Sequence, residues 1–150
     1  MAEPMDTARF SLPLLAMGQA QKEVTHNEAL ALIDALLHLA IEDGPLATPP
    51  ATPDSGQCWL VASGASGGWA GQADKIAVWG DGGWRFVSPR PGMCAIRIAD
   101  GARLRYTMGT WTGPEAISNP AGGVTIDAES RAAISALILL LGAHGLLISG

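Results

Sequence analysis

The run from Ile134 to Leu141 constrains this chain more than any other stretch. Thr125 or Asp127 supplies an N-cap, and the pattern that follows predicts a helix to about Ala143. Gly145 is placed at C′, where a left-handed glycine commonly ends a helix. Ile134, Leu137 and Leu141 fall at 3-4 spacing and His144 continues the row. Ala133, Ile138 and Leu140 fill the other faces, so the helix is apolar all round. Such a helix is buried on every side. A chain of 150 residues has little of its own to cover it with. A membrane is no answer, because the longest apolar run, 136–141, is far short of the roughly 18 residues a span requires. Charged residues make up only 15% of the chain, against about 25% in an ordinary soluble domain. Other subunits are the expected cover, in a closed homo-oligomer whose interface holds Ile134, Leu137, Ile138 and Leu141. Leu146-Leu147-Ile148 then reads as a terminal strand or plug.

The net charge is −5 and the isoelectric point near 5.0, which argues against a general nucleic-acid binder. Seven acidic against two basic side chains lie in residues 1–43, six basic against four acidic in 44–114, and three acidic against one basic in 115–150. The middle is mildly basic and both ends are acidic. The start, with Glu3 and Asp6 and no basic lead into an apolar stretch, does not read as a signal peptide. Cys58 and Cys94 are 36 residues apart without a CxxC. They read as buried small hydrophobes in a reduced compartment.

Three segments follow from the pattern: an arm and helix over residues 1–44, a β-segment over 45–113, and the apolar helix segment over 114–150. Thr25-His26-Asn27-Glu28 has the form of a capping box. The apolar positions after it are Ala29, Leu32, Ile33, Leu36, Leu37 and Ala40, at helical spacing, and Gly44-Pro45 is the expected stop. Residues 19–24 could add an earlier turn or two. A Pro-rich connector, 45–53, reads as an extended spacer. Strand-like runs at 58–62, 75–79, 84–87, 93–99 and 103–108, broken by Gly, predict an antiparallel meander. The expected class is therefore α+β, with an N-terminal helix, the meander and a C-terminal apolar helix.

Two hairpins can be put in register. A turn on Asp81-Gly82 sets Trp79 opposite Trp84 and Ala77 opposite Phe86, with Ile76, Val78, Arg85 and Val87 on the other face. Both faces are largely apolar, so cover on both sides is expected. For the second, a three-residue loop Ala99-Asp100-Gly101 pairs Ile96 with Leu104 and Ile98 with Ala102. That register puts Arg97, Arg103 and Arg105 on one face as a basic stripe. Arg97 and Arg103 would then be a destabilising like-charge pair. The stripe is a candidate contact for an acidic partner, the helix around 23–43 of this or another subunit being the nearest.

Trp79 and Trp84 read as core, while Trp69 and Trp111, flanked by Gly or Thr in loops, are candidate stacking platforms for sugar rings. The dense polar run Gln19, Gln21, Lys22, Thr25, His26, Asn27 and Glu28 reads chiefly as a helix start, with docking or sugar binding as its functional alternative. His26, His38 and His144 have no metal-ligand spacing. No nucleophile elbow, P-loop or dinucleotide fingerprint occurs. No catalytic residue, cofactor or metal is expected, and an enzyme is disfavoured.

The run Leu14-Leu15-Ala16-Met17-Gly18-Gln19-Ala20-Gln21-Lys22-Glu23-Val24-Thr25-His26-Asn27-Glu28-Ala29-Leu30 resembles the signature of a phage domain family of unassigned function. That family occurs in tail-fibre and head-spike proteins of alphaproteobacterial phages, prophages and gene transfer agents. Pro49-Pro50, Gly67-Gly68-Trp69-Ala70-Gly71, Ile76-Ala77-Val78-Trp79, Asp81-Gly82-Gly83-Trp84 and Pro91-Gly92 are similar to the same family in order and spacing. The stretch from Thr125 to Ile134, with His144-Gly145-Leu146, resembles the C-terminal helix of such fibre proteins. The resemblance implies a virion part, assembled in the bacterial cytoplasm, that contacts itself and other virion proteins and attaches to the particle or host surface. A trimer suits a fibre and is preferred; a pentamer would suit a spike on a capsid vertex. The alternative is a carbohydrate-binding module that recognises host surface polysaccharide through its loop tryptophans. No nucleic-acid contact and no membrane insertion are expected.

Overall fold

In the computed structural model, residues 6–16, 18, 22–124 and 127–148 are described. Thr125, one of the two expected caps, and Gln19 and Gln21 lie outside them. The fold is α+β: a helix near each end, with antiparallel sheets between. The chain divides into two compact units, Met1–Arg90 and Pro91–Gly150. The boundary falls inside the expected β-segment.

In the first unit, helix α1 spans Lys22–Leu36. It begins before the expected capping box, so Thr25 lies inside the helix rather than at its cap. It also ends well before Gly44-Pro45, because Ala40–Ile41 leave as a short strand, β1. The face turned inward carries Glu23, Asp34 and Ala35, while Ile33 and Leu37 stay exposed. The expected apolar face is therefore not the buried one. Asn27 and Asp34 face inward because the N-terminal arm brings backbone N–H groups that only oxygen acceptors can satisfy.

Strand β2 (Cys58–Leu60) is buried throughout. The Pro-rich connector runs along its edge: Leu46 forms a parallel bridge with Val61, and its N–H donates to the Leu60 carbonyl at 2.9 Å. Gly44 makes this approach possible. It has φ +138°, and a Cβ there would stand 2.8 Å from the Leu60 carbonyl oxygen. Strands β3 (Ile76–Gly80) and β4 (Gly83–Val87) pair in the expected register, Trp79 with Trp84 and Ala77 with Phe86. Order in this sheet is β2-β3-β4. Both faces of β3 are covered, since Ile76, Ala77 and Val78 are all buried. A short 3-10 turn, Gly67–Trp69, delivers Trp69 into the same core.

In the second unit, β5 (Cys94–Arg97), β6 (Arg103–Thr107) and β7 (Thr110–Thr112) form an antiparallel run. Strand β7 is absent from the expected runs. It is turned back by Met108 and Gly109, both at positive φ (+50° and +85°), which is the two-residue hairpin geometry that matches strand twist. Helix α2 spans Ala128–Ala143. Asp127 is its N-cap, accepting from the Ser130 N–H at 2.9 Å and from the Ser130 hydroxyl at 2.8 Å. At the other end Gly145 N–H donates to Gly142 and Leu146 N–H to Leu141, both at 2.9 Å, with Gly145 at φ +68°. That is a Schellman closure. Ile148 closes the segment by a parallel bridge to Ala116.

The second hairpin corrects the sequence expectation. Ala95 pairs with Leu104 and Ile96 with Arg103, and Arg97 N–H donates to the Ala102 carbonyl at 2.9 Å. The loop is thus Ile98 to Gly101, one residue longer than expected. A slip of one residue turns a strand's side chains to the opposite face. Arg97 accordingly leaves the face of Arg103 and Arg105, and the like-charge pair with Arg103 does not form. Asp100 holds the longer loop. Its carboxylate takes Arg97 at 2.6 and 2.9 Å and the Ala102 N–H at 3.1 Å. The Arg97 hydrogen bonds are the main reason its pKa falls to about 2.

Candidate interaction surfaces

The arm and α1 are tied together by one buried carboxylate. Asp34 is only 2% exposed. It accepts from the Thr7 hydroxyl at 2.7 Å, the Phe10 N–H at 2.8 Å and the Arg9 N–H at 2.9 Å. Thr7 Oγ1 in turn accepts from the Leu12 N–H at 2.9 Å. The Arg9 guanidinium then donates to the carbonyl of Ala35 (2.6 Å), one of those left over where α1 ends, and to that of His38 (3.1 Å) in the turn beyond it. Phe10 lies against the His38 ring at 5.8 Å.

The polar run at the start of α1 also has tertiary work. The Asn27 side chain both accepts from and donates to the Leu15 backbone, at 2.9 and 3.0 Å. Glu28 pairs with Arg85 of β4 at 3.2 Å. Arm, helix and hairpin together enclose a cleft of about 520 Å³, with Asp6, Val24, Glu28, Trp79, Asp81 and Arg85 on its walls. Motif reasoning gave no pointer to this cleft. Its residues come from four separate stretches, the arm, α1, Ser55-Gly56 and the β3–β4 hairpin, each ordinary alone.

The tryptophans of the first unit form one cluster. Ring centroids lie 4.9 Å apart for Trp79–Trp84, 5.1 Å for Trp69–Trp84 and 5.6 Å for Trp59–Trp84, all edge-to-face. Trp69 is 0% exposed, so it offers no face to a sugar. The glycine-rich loop is the path by which it reaches the core, and the stacking expectation for it is overturned. Trp111 is half-buried and tilts against Tyr106 at 5.4 Å.

The two cysteines differ. Cys58 is buried, and burial pushes its thiol pKa up to about 11. Cys94 is exposed, contrary to expectation, because it lies on the same outward face as Arg103 and Arg105. A maleimide at pH 8 should therefore label one thiol in the native protein and two after unfolding in urea. Rapid labelling of both in the native state would contradict this placement.

The second unit carries the expected interface residues on α2. No described residue of this helix is buried. Leu137 is 56% and Leu139 75% exposed, and Ile134, Leu140 and Leu141 are also exposed. Ile138 is half-buried instead. It lines an open groove of about 880 Å³ with Ile117, Leu139 and Leu147. The side of α2 held by its own chain is the one bearing Ser135, which donates to Asn119 at 2.8 Å, and Arg131, which reaches the carbonyls of Pro120 and Gly122. Ile134, Leu137 and Leu141 share one outward stripe. Arg103 and Arg105 are exposed together on β6, whereas Arg97 turns to Asp100.

Among the described residues no three His, Cys, Asp or Glu side chains are grouped to hold a metal, and no helix is long and apolar enough to cross a membrane. Residues 26–112 match the family described as a protein of unknown function, DUF2793. The chain belongs to this family. The DUF2793 match begins inside α1 and ends on the last residue of β7, so it takes in every strand named above and part of each compact unit. Helix α2 and the arm that holds Asp34 lie outside it. A comparison with curated proteins returned no match.

Proposed function

We propose that this protein is a structural module of a phage or gene-transfer-agent fibre or spike, which assembles as a closed homo-oligomer through α2 and attaches to the particle or the host surface. One observation carries the assembly: α2 is fixed at both ends by Asp127 and Gly145, yet buries none of its large aliphatic side chains. Each such side chain left in water forgoes about 1.5–3 kcal/mol. A rotational axis running along the stripe of Ile134, Leu137 and Leu141 would cover copies of it at once, and closed rotational symmetry is the usual solution. A trimer is preferred. The setting in a virion, with other virion proteins as partners, is supported by the resemblance of residues 14–30 and of the Trp/Gly motifs to fibre and spike proteins. Glycan recognition, the alternative, keeps Trp111 but loses Trp69.

Leu137→Asp tests the assembly by placing a charge in that axis. Sedimentation should show the variant as monomer or aggregate where the unmodified chain is a defined oligomer. An oligomer of unchanged mass in the variant would refute the role of α2.

A further inference from the structure

We infer that, within the oligomer proposed above, Arg103 and Arg105 of one copy seat in the cleft of a neighbouring copy, against Asp6 and Asp81. The two arginines stand two residues apart on the exposed face of β6. Their register partners are Ile96 for Arg103, and Cys94 and Thr112 for Arg105. None of these is acidic, and neither arginine has an acidic partner among the described residues. Asp100, the carboxylate nearest in sequence, is taken by Arg97. Two like charges two residues apart on one sheet face, beside an exposed Ile96, make a surface that calls for acidic cover.

The cleft of the first unit has the opposite surplus. Of its wall residues, Arg85 is already paired with Glu28, while Asp6 and Asp81 have no basic partner among the described residues. Trp79 forms part of the wall, and an indole ring is a further group to which a guanidinium is attracted. Two unmatched cations and two unmatched anions on one chain fit a second copy better than a foreign protein, because a single surface pair then satisfies both. Such a contact joins different patches of successive copies. Where its rotation closes, such a contact makes a ring.

The test is a charge exchange in the full-length protein, read by sedimentation between about 0.1 and 1 M salt, over which the screening length falls from about 10 Å to about 3 Å. Arg103→Glu and Asp81→Arg, both at exposed positions, should each weaken association about tenfold at low salt, as close charge pairs across interfaces do. Combined in one chain they should restore it, and the unmodified protein should dissociate more readily at high salt. Arg105→Glu serves in place of Arg103→Glu should circular dichroism show that the latter does not fold. Single variants that associate like the unmodified chain would overturn the inference, as would a double variant no better than either single. Loss of the oligomer in Leu137→Asp together with normal assembly of Arg103→Glu would leave the role of α2 standing and reject this contact. The reverse pattern would reject α2 and keep it.

Discussion

Replacing Asp34 with alanine is expected to lower the stability of the first unit by about 3 kcal/mol or more, and to release the N-terminal arm. The substitution removes the acceptor for the Thr7 hydroxyl and for two backbone N–H groups, those of Arg9 and Phe10. Each donor stranded in a buried setting costs about 1–3 kcal/mol. The arm has few other anchors: Arg9 to the end of α1 and Asn27 to Leu15. Urea denaturation followed by tryptophan fluorescence reads the stability, since the Trp cluster belongs to the same unit. Trypsin cleavage after Arg9 reads the arm, and it should become rapid in the variant while the remainder resists. A loss below about 1 kcal/mol with unchanged cleavage would show that the arm is held by something other than Asp34.

Gly145→Ala is expected to be the most damaging change in the second unit. Gly145 is buried at φ +68°, and a Cβ there would run into the backbone carbonyl of Gly101. Left-handed backbone costs a residue with a Cβ about 1–2 kcal/mol by itself. The clash adds to this, because a carbonyl in a hairpin loop cannot swing away as a side chain end would. Relief requires moving the turn, which breaks the 2.9 Å hydrogen bond from Arg103 N–H to the Gly145 carbonyl. The end of α2 would then lose its tie to β6. Gly142→Ala is the control: it lies in α2, with its nearest neighbour an ordinary 4.0 Å from the added Cβ, and alanine favours a helix interior over glycine by about 1 kcal/mol. Hydrogen exchange should show α2 amides exposed in Gly145→Ala and protected as before in Gly142→Ala. Equal behaviour of the two would contradict the docking of α2 through its closing turn.

Local chemistry in the sequence reads well wherever it acts alone. Gly145 at the end of α2, Asp127 as one of the two caps open to its start, and the Trp79–Trp84 register across Asp81-Gly82 follow from cap preference and alternation with no help from distant residues. The second hairpin misleads because apolar matching favours Ile96 opposite Leu104, whereas small Ala95 and Ala102 take the inner positions and both isoleucines stay outside. Asp100 decides that loop length by gripping Arg97 and Ala102, an effect that hydrophobic pattern does not register. Helix α1 misleads for a related reason. Its polar positions Asn27 and Asp34 face inward to serve an arm whose chain partners lie 12 to 27 residues away. Trp69 and the cleft are likewise products of tertiary placement: neither the Gly67-Gly68 turn nor the four separate stretches of the wall announce what the fold assembles from them.

The most direct test of the assembly is the mass of the unmodified full-length protein in solution, measured at micromolar concentration by native mass spectrometry and sedimentation together. The exposed stripe on α2 predicts a closed homo-oligomer, with three copies of the 15.4 kDa chain preferred, and α2 amides protected from exchange in that species. A stable, well-behaved 15.4 kDa monomer with α2 folded and its leucines in water would contradict it.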